Sequence, residues 1–78
     1  MRILFFAHLK NVTGCHAIDL RCGPVDAAGL WQKLIEAHPG LAAHRASVRL
    51  ARNSEYVGRD TLFTDTDEVA LIPPVSGG

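Results

Sequence analysis

The sequence predicts one small α+β domain: a mixed sheet of about five strands, one main helix on one face, and the first and last strands side by side, parallel, at the centre. Three observations predict it. Apolar residues fall in short runs or two-residue alternations everywhere except 27–38, where they recur at helical spacing. The most continuously apolar runs, ILFFAHL and EVALIPP, stand near the two ends of the chain, and strands buried on both faces read this way. Seventy-eight residues, 47% of them hydrophobic, suffice for one core and one domain.

RILFFAHL (2–9) reads as a buried strand with Phe5 and Phe6 on opposite faces, Phe5 read as core and Phe6 as the interface candidate, and a reversed parity would swap the two. NVTG (11–14) reads as a turn with Gly14 free to take positive φ. HAIDLR (16–21) alternates Ile18 and Leu20 against Asp19 and Arg21, so a half-buried strand and a hairpin are expected. CGPVD breaks the chain, and Asp26 can cap a helix by accepting from its first free amides. Ala27, Leu30, Trp31, Leu34, Ile35 and His38 form one helical stripe, with Trp31 read as core. Gly29 weakens that helix by about 1 kcal/mol relative to alanine, and His38 before Pro39 ends it. SVRLARN (47–53), EYV (55–57) and EVALIPP (68–74) supply three more strands, with TDTD (64–67) as a turn. One helix covers one face, so the two central strands leave apolar side chains on the other, and such a patch marks a partner surface. This arrangement is the β-grasp architecture.

Composition narrows the function. Eight basic and eight acidic residues balance, without the basic surplus of a nucleic-acid binder. No run approaches the roughly 20 apolar residues of a membrane span, so no membrane role is expected. The N-terminal run lacks a signal peptide's form, and the expected compartment is the cytoplasm. Cys15 and Cys22 stand at opposite ends of the second predicted strand with opposite parity. They are expected on opposite faces, about 23 Å apart, as reduced thiols. His8, His16, His38 and His44 show no metal-ligand spacing, and no metal is expected. Arg45, Arg49, Arg52 and Arg59 could steer an acidic partner, but scattered arginines are ordinarily solvated surface.

The end of the sequence is the richest signal. PPVSGG follows the last strand. Pro73 and Pro74 fix φ and hold the exit extended. Val75 and Ser76 are small, and Gly77 and Gly78 carry no side chains. Residues 1–72 read as the folded domain and 73–78 as a flexible tail reaching up to about 20 Å. Such a tail can thread a narrow channel and present the carboxylate of Gly78 in another protein's active site. A carboxylate is a poor electrophile until activated as a mixed anhydride with phosphate. No G-x-x-x-x-G-K-[ST] loop is present to do that. An active tail therefore implies a separate ATP-using enzyme.

ILFFAHLKNVTG, LWQKL followed by HPGL, ARNSEYV and DTDEVALIPPVSGG together resemble the small sulfur-carrier subunits of molybdopterin synthase, of the ubiquitin-like β-grasp superfamily. The resemblance spans nearly the whole chain, and the PP doublet with FFA sets it apart from other Gly-Gly carriers. It implies that an E1-like, MoeB-like enzyme adenylates Gly78 with ATP. A sulfur donor then replaces AMP and leaves a C-terminal thiocarboxylate. The tail enters a MoaE-like large subunit and gives sulfur to a cyclic pyranopterin precursor, making molybdopterin. The chain itself is then a non-catalytic subunit with no permanently bound cofactor. Gly77 is needed for passage, and Phe6, Tyr56, Ile72, Pro73, Pro74, Val75 and Ser76 contact the partner. Two positions depart from the pattern: Thr66 replaces a turn glycine, and Arg52 replaces a valine. If position 66 required positive φ, threonine would be strained there.

Two other readings share the residues. One keeps the tail chemistry for another destination: a sulfur carrier for thiamine, thionucleoside or cysteine synthesis, or a protein modifier joined to lysines through Gly78. The other is a binding module whose glycine end is incidental.

Overall fold

The computed structural model describes residues 1–58 and 60–74. Its elements are β1 (Arg2–Phe5), α1 (Leu9–Thr13), β2 (Ala17–Asp19), α2 (Ala27–Ala37), a 3-10 helix (Pro39–His44), β3 (Arg49–Arg52), β4 (Glu55–Tyr56) and β5 (Glu68–Ile72). The five strands form one sheet in the order β2-β1-β5-β3-β4. β1 and β5 run parallel, with Ile3 opposite Val69 and Leu4 opposite Ala70. The other pairings are antiparallel. This is the expected β-grasp, with the first and last strands adjacent and each flanked on both sides.

Strand alternation sorts the side chains. Ile3, Phe5, Val69, Leu71 and Leu50 meet Leu30, Trp31 and Leu34 of α2 in the core. Phe5 is 2% exposed and Phe6 is 46% exposed, as their parity requires. The Asp26 carboxylate accepts from the Gly29 amide at 2.8 Å, the expected N-cap. The helix closes at His38, whose ring meets Phe5 edge-on at 6.1 Å.

Several boundaries differ from the sequence reading. The first strand stops at Phe5, not residue 9, because Ala7 turns into the left-handed region at φ 52°. The expected turn at 11–14 is instead the end of a short helix, α1, which tucks Leu9 into the core and packs Val12 against it. Gly14 closes α1 at φ 76°, the positive value expected of it. Because a helix lies between them, β1 and β2 are antiparallel partners without forming a tight hairpin. β2 is only three residues long, and Cys15 and Cys22 lie outside it. Both thiols are free and both pack against the core, so they are not divided between opposite faces. After Pro39 the chain makes a 3-10 helix that buries Leu41, an element the sequence reading omitted. β3 and β5 are each shorter than expected, and Pro73, just past β5, is buried while Pro74 is exposed.

Candidate functional site

The sheet face opposite α2 carries the candidate site. Across its middle runs the row Leu4, Ala70, Ala51 and Tyr56, read directly from the strand register. One step further toward the C-terminal ends of β1 and β5 stand Phe6 and Ile72. These side chains line a shallow groove of about 370 Å³. Phe6 and Tyr56 are its exposed large hydrophobic members, Tyr56 at 64%. Phe6, Tyr56 and Ile72, which the resemblance names as partner contacts, are thus brought onto one face. Leu4 and Ala70 share it and were not singled out, although the two-residue period that placed Phe6 and Ile72 also marks them.

β5 ends on this face. A second groove, of about 310 Å³, opens beside its exit between Arg49, Tyr56, Ile72, Pro73 and Pro74. The Arg49 guanidinium lies over the Tyr56 ring, 5.7 Å from its centroid, a cation–π contact invisible to sequence spacing alone. Val75, Ser76, Gly77 and Gly78, and also Arg59, lie outside the described residues.

The acidic turn before β5 does different work. Asp67 accepts from the Thr64 amide at 2.8 Å and from the Asn53 side-chain amide at 3.3 Å. Asn53 in turn accepts from the Glu68 amide at 3.0 Å. Asp65 accepts from the Gly23 amide at 3.0 Å. The turn therefore fixes where β5 begins, against both the β3–β4 connection and the segment after β2. The Thr64 amide, chiefly, holds the Asp67 carboxyl below its ordinary value of 3.8, with Asn53 and the Arg52 charge adding and desolvation opposing. Thr66 is not strained: the non-glycine residues with positive φ among those described are Ala7, Asn53 and Ser54. Arg52 donates to the Leu62 carbonyl at 2.9 Å and so anchors Leu62 to the end of β3.

A cleft of about 630 Å³ lies beside this turn, between Arg2, Asp19, Arg21, Asp65 and Glu68. It sits at the opposite end of β5 from the tail exit, about 13 Å away by strand rise. Among the described residues, no group of three or more His, Cys, Asp or Glu is placed to hold a metal ion. No helix among them is long and apolar enough to cross a membrane.

Comparison with known proteins agrees with this geometry. The molybdopterin synthase sulfur carrier subunit of Dictyostelium discoideum is 38% identical, covering 99% of this chain and 94% of that one. The human subunit of the same name is 35% identical, covering 100% and 93%. Among solved structures, Haloferax volcanii small archaeal modifier protein 1 superposes with a TM-score of 0.77 at 27% identity, covering 96% of this chain and 97% of that one. Residues 3–78 match the ThiS family model. With that match and relatives this similar along its whole length, the chain belongs to the ThiS family, in the MoaD/ThiS-like branch of the ubiquitin-like β-grasp fold.

Proposed function

We propose that this chain is the sulfur carrier subunit of a molybdopterin synthase. The observation that carries the reading is the placement of β5. It lies between β1 and β3 and ends beside the open apolar face, which supports a partner docked on that face as the receiver of the tail. The likeness to sulfur carrier subunits over the full length supports the same reading.

The chemistry then runs through Gly78. An E1-like enzyme joins its carboxylate to the α-phosphate of ATP and releases pyrophosphate. The acyl-adenylate is now an electrophile, and sulfur at the sulfide level displaces AMP, leaving a thiocarboxylate. The large synthase subunit receives the tail, with Gly77 passing the narrowest part and Val75 and Ser76 lining the entry. The thiocarboxylate sulfur attacks a carbon of the cyclic pyranopterin precursor and displaces an oxygen substituent, and water then cleaves the resulting thioester, leaving sulfur on the product and restoring the carboxylate of Gly78. Two sulfurs require two charged tails. The domain itself contributes position: Phe6, Tyr56, Ile72 and the exposed Pro74 seat the partner, with Pro73 packed beneath, while the tail reaches in.

The likeness to an archaeal modifier protein favours a second reading, in which Gly78 is joined to lysines of other proteins. One reconstitution separates the two. Thiocarboxylated chain, mixed with the large subunit and the pyranopterin precursor, is expected to yield molybdopterin, and a Gly78 deletion none. Lysine-linked conjugates without molybdopterin would move the assignment to a modifier.

A further inference from the structure

Arg49 is exposed at the edge of the apolar face, beside the exit of the tail, and its guanidinium rests over Tyr56. Scattered surface arginines usually sample many rotamers, but this one has an aromatic seat that limits its freedom. Among the described residues no carboxylate pairs with it. The groove it lines with Ser47, Tyr56, Ile72, Pro73 and Pro74 contains no acidic residue. The neighbouring groove has one, Glu68, but that residue begins β5 while Arg49 pairs with Ile72 at its end. The face is therefore apolar at its centre and cationic where the tail departs. A docking protein that covered Arg49 with apolar atoms would strand a charge. One that presented a carboxylate would gain a planar, charge-assisted contact.

We infer that Arg49, seated on Tyr56, receives an aspartate or glutamate of the protein that docks on this face, next to that protein's apolar contact with Phe6 and Ile72. The inference rests on the carrier reading for the identity of the partner, the large synthase subunit. The contact fixes direction as well as affinity. Because Arg49 is the basic residue lining the groove at the tail exit, a partner that pairs with it is oriented so that its channel faces the exit of β5.

The test is a titration of the purified large subunit with wild-type chain, Arg49→Glu and Arg49→Lys, at low and at physiological salt. Arg49 is exposed, so thermal melts of the variants should match wild type. Arg49→Glu is expected to weaken binding by roughly tenfold or more, with a flatter salt dependence than wild type. Arg49→Lys, which keeps the charge and loses the planar fork, should fall between. Replacing the facing carboxylate of the large subunit by arginine should restore binding to Arg49→Glu. Binding of Arg49→Glu equal to wild type, with the same salt dependence, overturns the inference and leaves the carrier reading standing. No binding of the wild-type chain by the large subunit removes both.

Discussion

Phe5 and Phe6 are neighbours in sequence with opposite surroundings, and truncating each to alanine should separate stability from docking. Phe5 is 2% exposed and packs in the core. Its removal is expected to cost about 3–5 kcal/mol. A domain of this size has only about 4–12 kcal/mol to lose, so Phe5→Ala should melt at least about 12 °C lower or fail to fold. Phe6 is 46% exposed. A phenylalanine side chain offers about 150–250 Å², which leaves about 70–115 Å² of Phe6 open to a partner. At about 25 cal/mol per Å², covering that area is worth about 2–3 kcal/mol. Alanine retains part of the contact and docking has its own costs, so Phe6→Ala should weaken large-subunit binding by about 1–2 kcal/mol, about five- to thirtyfold in Kd. Its melting temperature should fall by at most about 4–8 °C. Thermal melts and calorimetric titration of both variants decide the matter. Undiminished binding by Phe6→Ala, or a larger loss of stability in Phe6→Ala than in Phe5→Ala, would refute the assignment of faces.

Asp67→Ala removes the acceptor for Thr64 and Asn53 and should cost about 1–2 kcal/mol, seen as a lower denaturation midpoint near neutral pH. Because the folded state holds the Asp67 carboxyl low, its contribution is complete above the unfolded value and is lost as the pH falls through the folded one. The wild-type chain should therefore lose more stability below about pH 4 than Asp67→Ala does. Ser54→Gly should raise the melting temperature by a few degrees, corresponding to about 0.5–1 kcal/mol, because Ser54 holds φ 75° in the two-residue β3–β4 turn. Gly23→Ala should destabilise by about 1–3 kcal/mol in urea melts, since a Cβ there would stand 2.9 Å from the Thr64 Cα.

The sheet's centre was readable because burial on both faces leaves an uninterrupted apolar run, as in 2–5 and 68–72. Strand parity puts Phe5 and Phe6 on opposite faces with two possible outcomes, and the structure shows Phe5 as the buried one. The helix was readable because Asp26 caps it and its stripe is regular. The first strand was read too long because Ala7 gives no compositional warning of a left-handed turn. α1 and the 3-10 helix escaped because each is two turns or fewer and is held by burying Leu9 or Leu41, not by local propensity. At the site, Phe6 and Ile72 came from the family resemblance, and the reading of the two central strands agrees with it for both. Tyr56 came to the same face only through the family resemblance, since a two-residue strand has no pattern of its own. The Arg49–Tyr56 contact depends on β3 lying beside both β4 and β5, a pairing no local spacing encodes.

The most direct test of the account is the intact mass of the chain after incubation with ATP, an E1-like activating enzyme and a sulfur donor, beside a Gly78 deletion treated identically. The account predicts a gain equal to exchanging one oxygen for sulfur in the full chain and none in the deletion. An unchanged mass in the full chain, with every partner shown to be active, would contradict it.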